Sequence, residues 1–368
     1  MNILILNWRD IKHPLAGGAE TMLWNHALFW QKKGSTITWI SSQFLGAKKE
    51  EILEGITVKR FGSQYSVHMW VLLYAIRGEF SSADVVIDCF HFLPFFTPIF
   101  FNRKKIIAVI HEVAGKVWFD NIIFPLALIG YITEPFFFFL YKQVTFITVS
   151  NSTKLDIMKM NIPECNIFVV HNGVSVPKIH INIVKTIFPS ILFLNRISLD
   201  KGIEDALVAF KMVKKNNPHL QFFIAGKEEK KHFTKILLKK YSLRESIKYL
   251  GFVDEKIKWL LLQKSWILIH PSKKEGWGLT VIEANSVGTP VIGYNVEGLR
   301  DSIRDNKTGL LVDPNPQALA NAMDILINNK KMLRTLSRAA KDWSDQFTWS
   351  KSVLESWEII EDVYKKSL

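Results

Sequence analysis

The sequence is poor in cysteine, with only Cys89 and Cys165 among its 368 residues. Two thiols cannot build the disulfide framework of a small secreted domain, so we expect a reducing, cytoplasmic setting. The N-terminus, MNILILNW, lacks the basic segment, long apolar run and small-residue cleavage site of a signal peptide. At 48% apolar residues the chain is globular rather than disordered, and its length suits two domains.

Acidic residues are also in deficit, and the formal net charge is +13. Such a charge is compatible with three anionic partners: nucleic acid, a phosphorylated substrate or an acidic lipid surface. The densest lysine run, KEEKKHFTKILLKK, has no interleaved pattern of aromatic residues, so we expect no specific nucleic-acid binding. A solvated lysine-rich helix face explains the same run equally well.

Short β-branched segments alternate with longer segments of helical period throughout the chain. This alternation predicts an α/β fold with two doubly wound domains. One glycine and two prolines interrupt the rhythm within 171–190, and the linker is predicted near 175–188. The predicted strands are Ile3–Leu6, Thr36–Ile40, Val85–Asp88, Ile106–Ile110, Thr145–Val149, Ser190–Leu194, Gln221–Ala225, Trp266–His270 and Val291–Gly293.

Two segments, 90–101 and 122–141, are almost wholly apolar and rich in phenylalanine. The second is long enough to span a bilayer, but two prolines, a glycine and Glu134 argue against a span. Three alternatives stay open: a spanning helix, an interfacial helical hairpin in contact with lipid, and ordinary core.

Ligands of open α/β sheets bind at the carboxyl ends of the strands, where several polar or glycine-rich segments occur. Gly17 and Gly18 precede a helix, so their amides could meet an anion, although a simple tight turn explains them as well. The missing GxGxxG motif argues against a Rossmann oxidoreductase. His111 follows a predicted strand and could hydrogen-bond a ligand hydroxyl, with a structural role as the alternative.

Arg196 and Lys201 flank the loop that follows the first strand of the second half. A guanidinium and an ammonium group on one loop suit a diphosphate, while two unrelated surface cations are the plain alternative.

The stretch EGWGLTVIEA, 275–284, places one carboxylate on either side of a turn that opens a helix. Gly276 and Gly278 permit a tight loop, and the amides of the residues that follow can hold a phosphate. Glu283 lies about one helical turn farther on, at a distance that suits a ribose. Glu275 lies on the other side of the loop, where a sugar beyond the diphosphate would lie.

Taken together, these motifs resemble those of retaining glycosyltransferase family 4. The resemblance covers essentially the whole chain. It rests on the GGAE loop at 17–20, His111, SNST at 150–153, HNGV at 171–174, NRISLDKG at 195–202 and PSKKEGWGLTVIEA at 271–284. It implies the GT-B architecture, with two Rossmann-like domains at 1–178 and 188–345, a cleft between them, and a helix at about 350–368 that packs back on the first domain.

The resemblance also implies roles for individual residues. The catalytic set would be His111, Arg196, Lys201 and Glu275, with Glu275 and His111 on the transferred sugar and the two cations on the diphosphate. The remaining donor-binding residues would be Gly17, Gly18, Gly276, Trp277, Gly278, Leu279, Thr280 and Glu283.

The implied reaction moves a sugar from a nucleotide-diphospho-sugar to an acceptor hydroxyl with retention and without a metal or other cofactor. No Asp-x-Asp pair, the metal motif of the other main glycosyltransferase fold, occurs in the chain. The aromatic tracts and positive charge point to a glycan or lipid-linked acceptor and to contact with the inner face of a membrane through 90–101 and 122–141. The alternatives are an epimerase of the same architecture and a basic nucleic-acid or lipid-binding module without catalysis.

Three departures from the family pattern occur. Glu297-Gly298 replaces a glycine pair, Arg300 stands where a proline is expected, and Trp277 replaces the commoner phenylalanine.

Overall fold

The computed structural model describes residues 1–177, 184–228, 232–241, 243 and 247–368. The chain divides into two compact units, one of residues 1–173 and 349–368 and the other of residues 174–348. The linker predicted at 175–188 and the lysine run KEEKKHFTKILLKK both lie partly outside the described residues.

The first unit contains an eight-stranded sheet with helices on both faces. Its strands pair in the order β3-β4-β2-β1-β5-β6-β7-β8, and every pairing is parallel except β3 with β4. The elements are β1 (Asn2–Leu6), α1 (Gly18–Lys32), β2 (Thr36–Ser41), β3 (Glu50–Leu53), β4 (Ile56–Arg60), α2 (Val67–Ile76), β5 (Val85–Phe90), β6 (Ile106–Ile110), α3 (Trp118–Asn121), α4 (Leu126–Leu140), β7 (Thr145–Thr148), α5 (Asn151–Lys159) and β8 (Ile167–Val169).

The second unit contains a six-stranded parallel sheet in the order β11-β10-β9-β12-β13-β14. Its elements are β9 (Ser190–Leu194), α6 (Ile203–Lys214), β10 (Gln221–Ala225), α7 (Phe233–Lys240), β11 (Ile247–Gly251), α8 (Glu255–Lys264), β12 (Ile267–His270), α9 (Leu279–Ser286), β13 (Val291–Tyr294), α10 (Leu299–Ser302), β14 (Gly309–Val312), α11 (Pro316–Asn328) and α12 (Lys330–Ser344).

The last helix, α13 (Trp349–Ser367), belongs to the first unit. It contacts α1, β5 and β6. Two side-chain hydrogen bonds join it to α1: His26 Nε2 lies 2.9 Å from Ser352 Oγ, and Trp30 Nε1 donates to Ser356 Oγ at 3.1 Å. Small serines at these positions leave room for the large α1 side chains, so the two helices can pack closely.

Side chains alternate between the two faces of the first sheet. Leu4 and Leu6 of β1 belong to a core cluster with Val71 of α2, Phe138 of α4 and Ile157 of α5. Helices α2, α4 and α5 therefore cover one face of this sheet. Because α13 contacts β5 and β6 and pairs with α1, these two helices cover the opposite face.

Most of the apolar segment 122–141 forms one helix, α4 (Leu126–Leu140). Among the described residues, no helix combines the length and apolar character needed to cross a bilayer. Helix α4 is not ordinary core either, because its side chains Ile132, Phe136 and Phe139 are 56, 68 and 71% exposed. In 90–101, by contrast, Phe90 and Phe95 are buried in the core cluster, whereas Leu93 and Ile99 are exposed.

Candidate functional site

The loops after β9 and β12, together with the last residue of β12, bring a lysine, a carboxylate and an imidazole together in the second unit. Lys201 Nζ lies 2.8 Å from Glu275 Oε1, and His270 Nε2 lies 3.0 Å from the same oxygen. Burial would raise the pKa of Glu275, but the charges and hydrogen bonds of Lys201 and His270 outweigh it and hold that pKa well below its usual range. Glu275 is therefore an ionised acceptor at neutral pH, in contact with the amino group of Lys201.

Arg196 lies at the rim of the same loop after β9. Its side chain is 48% exposed and its Nη2 pairs with Asp200 Oδ2 at 2.9 Å. Asn195, immediately before it, places its amide nitrogen 3.4 Å from both His270 Nε2 and Ser272 Oγ. An exposed ion pair of this kind contributes little to stability, so the guanidinium can exchange Asp200 for an anionic ligand at small cost.

Helix α9 opens directly behind this cluster. Its cap residue, Gly278, has φ +79 and no side chain with which to cap the helix. The first amides of a helix lack intrahelical acceptors, and here they belong to Leu279 and Thr280, both half-exposed. Trp277 packs inward instead, with its ring edge-on to Phe347 at a centroid distance of 5.0 Å. The helix start thus presents backbone donors that suit a phosphate.

Two glycines permit close backbone packing beneath the loop. A Cβ on Gly202 would lie 2.0 Å from the carbonyl oxygen of Pro271, and one on Gly298 would lie 2.2 Å from that of Glu275. Both have positive φ, of +73 and +74. The glycine of the divergent Glu297-Gly298 pair is therefore the one that seats the backbone of Glu275.

Glu283, the second acid of the motif, is buried on α9. Its Oε1 pairs with Lys258 Nζ on α8 at 2.7 Å, and Lys258 also contacts Glu255. Burial raises the pKa of Glu283, opposed by the charge of Lys258. The sequence did not reveal Lys258, since a lysine on a helix 25 positions upstream carries no local signal.

In the first unit, Gly17 caps helix α1 and its amide donates to Glu20 Oε2 at 2.8 Å. The fully buried carboxylate of Glu20 also contacts Arg9 Nε at 3.0 Å and His91 Nε2 at 3.3 Å. Burial would raise the pKa of Glu20, but Arg9 and His91 together lower it below its usual range. The GGAE loop is thus held by its own glutamate, which the sequence analysis did not single out.

His111 is half-buried at the end of β6. Burial, followed by the charge of His91, lowers the pKa of His111 to about 4, so this imidazole is neutral at pH 7. Its carbonyl accepts a hydrogen bond from Thr153 Oγ1 at 3.0 Å, and Ser150 Oγ caps α5 through Thr153 N. The SNST motif therefore positions the backbone of His111.

The structure brings the predicted residues together as two groups, one in each unit. Arg196, Lys201, Glu275 and the start of α9 cluster at the carboxyl ends of β9 and β12 in the second unit. Gly17 joins a charged network in the first unit, and His111 is coupled electrostatically to the same network through His91. The roles of individual residues toward a ligand remain predictions.

Two family models together match most of the chain. The model described as Glycosyltransferase Family 4 matches residues 16–177, and the model described as Glycosyl transferases group 1 matches residues 182–343. The chain therefore belongs to glycosyltransferase family 4, as the motifs predicted.

Curated relatives match only part of the chain. An uncharacterised glycosyltransferase of Methanocaldococcus jannaschii is 28% identical over 233 residues, which are 59% of either protein. Glycogen synthase of Mycobacterium tuberculosis is 26% identical over 161 residues, 43% of this chain and 39% of the synthase. The match thus spans about 39 to 59% of the length of these relatives.

Solved structures resemble the chain over almost its full length. Sucrose-phosphate synthase of Thermosynechococcus elongatus has a TM-score of 0.81 at 17% identity and covers 99% of both chains. The HepE protein of Anabaena in complex with UDP-glucose has a TM-score of 0.74 at 16% identity and covers 98% of this chain and 99% of HepE. These likenesses show that the fold is GT-B.

Proposed function

We propose that the protein transfers a sugar from a nucleotide-diphospho-sugar to an acceptor hydroxyl, with retention of anomeric configuration and without a metal ion. The observation that carries the proposal is the cluster of Arg196, Lys201 and Glu275 beside the start of α9. Cations and backbone amides at the carboxyl ends of β9 and β12 suit a diphosphate, while an ionised carboxylate among them suits sugar hydroxyls. The structural neighbour HepE has been crystallised with UDP-glucose, which supports the same donor class.

In the proposed complex, the amides of Leu279 and Thr280 and the side chains of Arg196 and Lys201 hold the diphosphate. Glu283 accepts hydrogen bonds from the ribose and shares its carboxylate with Lys258. Glu275 orients the transferred sugar. Lys201 must then divide its charge between Glu275 and the diphosphate, so the unliganded ion pair pre-positions the cation for the donor.

Transfer breaks the bond between the anomeric carbon and the diphosphate oxygen and forms one to the acceptor oxygen on the same face. The acceptor proton passes to the departing phosphate oxygen, so no protein nucleophile is needed. Negative charge grows on the diphosphate as the bond breaks, and Arg196, Lys201 and the start of α9 stabilise it where other enzymes use a metal.

We further infer that the acceptor is a glycan or a lipid-linked sugar. The supporting observation is the exposed apolar surface of the first unit, which the donor chemistry does not require.

The test is an activity assay with a panel of nucleotide-sugars and a simple glycoside acceptor, run with and without EDTA. We expect transfer from one donor, unchanged by EDTA, and a product whose anomeric configuration by NMR equals that of the donor. An inverted product would contradict the retaining mechanism. Activity abolished by EDTA and restored by Mg²⁺ would contradict metal independence.

A further inference from the structure

Helix α4 presents a broad apolar surface away from the sheet that it covers. Its inner side is buried through Ala127, Gly130, Glu134 and Phe138. Its outer side exposes seven large apolar residues, at fractions between 37 and 71%. These are Leu126, Leu128, Ile129, Tyr131, Ile132, Phe136 and Phe139. Such a contiguous apolar patch on a monomer marks an interaction surface.

The apolar surface continues onto helix α2, which covers the same face of the sheet. Met69, Trp70, Leu73 and Ile76 of α2 are 59, 40, 43 and 71% exposed. Segment 90–101 lies between the two helices and contacts both. Phe95 stacks on His68 of α2 at 4.3 Å, and Phe96 meets Phe137 of α4 at 5.4 Å.

The opposite face of the same sheet serves as an internal comparison. Within the described helices α1 and α13, Leu354 is the single large apolar side chain that is exposed, at 47%. The apolar surface of α2 and α4 is therefore specific to one face and is not a general property of this unit.

Most of the described charged residues that flank this surface are basic. Helices α2 and α4 are described in full, and their one acidic residue, Glu134, is buried where it accepts from the Ala114 and Gly115 amides. Lys116 is exposed and follows Gly115, whose amide donates to Glu134 of α4, and Lys142 lies just past the C-terminal end of α4. Arg103 reaches Gln143 at 3.4 Å, which brings a further cation to that end. Glu79, beyond the end of α2, is an exposed acid near the rim.

A groove at the C-terminal end of α4 combines an apolar lining with a positive charge. It has a volume of about 590 Å³ and is lined by Phe136, Phe139 and Met160, with Lys142 at its edge. An apolar floor with an ammonium group at the rim matches the boundary between acyl chains and anionic headgroups.

We propose that the α2/α4 face binds the surface of an anionic lipid bilayer. The inner side of α4 is fixed to the sheet, so only its outer side can enter the boundary between headgroups and acyl chains, and the helix lies flat. Two facing copies of this surface would bring the like charges of Lys116 and Lys142 together, which disfavours a second copy as the occupant. This inference rests on the proposed function in one respect only, namely that the proposed acceptor is lipid-linked.

Co-sedimentation with vesicles of phosphatidylcholine, with and without phosphatidylglycerol, tests this inference. The wild-type protein should pellet with the anionic vesicles. The triple variant Ile132→Ser, Phe136→Ser, Phe139→Ser should lower the partition constant at least about tenfold, because three exposed apolar side chains no longer enter the lipid. The control Leu354→Ser, on α13, should bind like wild type.

The charge component has its own variants. Lys116→Ala with Lys142→Ala should weaken binding to anionic vesicles about tenfold or more and leave binding to neutral vesicles unchanged. Lys365→Ala, on the opposite face, is the matched control.

Wild-type protein that stays in the supernatant with anionic vesicles would overturn the inference. So would a dimer, detected by sedimentation velocity, that the triple variant abolishes while vesicles remain unbound, since a second copy would then cover the face. The vesicle assay contains neither donor nor acceptor, so its failure leaves the proposed transfer reaction standing.

Discussion

The two units place acid–cation pairs in similar positions but bury them differently. In the first unit, Glu20 is fully buried and Arg9 is 17% exposed. In the second, Lys201 and Glu275 are each 15% exposed, and Arg196 is 48% exposed. A fully buried carboxylate such as Glu20 is positioned to hold a loop, whereas a half-exposed guanidinium such as Arg196 can change partner. We therefore expect a structural role for the first cluster and ligand binding by the second.

The comparison predicts the largest effect for Arg196→Ala. Losing a cation that stabilises the departing diphosphate should lower kcat/KM about 10²–10³-fold. The thermal midpoint should change little, because exposed ion pairs contribute at most about 1 kcal/mol. Steady-state kinetics and a thermal melt measure the two quantities, with Lys239→Ala on α7 as control. Turnover within a factor of two of wild type would show that Arg196 does not contribute to the proposed site.

Glu20→Ala should show the reverse pattern, in which the free energy of unfolding is the quantity that falls most. Removing the acid leaves Arg9 and the Gly17 amide without their buried partner, and we expect a loss of about 3 kcal/mol in the free energy of unfolding. Urea denaturation measures it, and Glu355→Ala on α13 should lie within about 0.5 kcal/mol of wild type. Wild-type stability in the Glu20 variant would show that the two clusters do not differ as described.

Glu283→Gln should weaken donor binding about tenfold, since a hydrogen bond to a charged group contributes roughly 1.5–3 kcal/mol. Burial raises the pKa of Glu283, so protonation on lowering the pH should weaken donor binding in the wild type, and the variant should lose that pH dependence. Calorimetric titration between neutral and mildly acidic pH tests both. Equal affinity in the two proteins would exclude the ribose contact.

The last prediction concerns pH and the stability of the first unit. Burial lowers the pKa of His26 from 6.5 to about 3. Below pH 6.5, His26 is therefore protonated in the unfolded chain but stays neutral in the folded chain. The stability contributed by neutral His26 is fully present above pH 6.5 and is lost as the pH falls. The loss is about 1.4 kcal/mol per pH unit below that value. His26→Gln should flatten the decline of the melting midpoint between pH 6.5 and 5; an unchanged slope would contradict it.

The nine strands predicted from sequence are all present, and their positions explain which others were missed. The predicted strands form the uninterrupted centre of each sheet, β2-β1-β5-β6-β7 and β10-β9-β12-β13. Central parallel strands are buried on both faces and appear as continuous apolar runs. Among the described residues, five further strands were missed. Four of them, β3, β8, β11 and β14, are edge strands, and β4 lies between β3 and β2. Exposed and buried residues alternate in IKYLG of β11, and half of the residues in EEIL of β3 are acidic.

The candidate site was predictable to the extent that its residues share short motifs. Arg196, Lys201 and Glu275 were identified from loops after strands, and the structure places them in one unit. His270 could have been found by the same rule, since it is the last residue of β12. Lys258 could not, because its pairing with Glu283 depends on how α8 packs beside α9.

The proposed function requires that the second unit binds a nucleotide-diphospho-sugar through Lys201 and its neighbours. Calorimetric titration of wild type and Lys201→Ala with UDP-, GDP- and ADP-sugars tests this claim directly, after a thermal melt has shown that the variant is folded. We predict that the wild type binds donors of one base and that the variant binds them at least about tenfold more weakly. A wild-type protein that binds none of these donors, or a folded variant that binds them equally well, would contradict the claim.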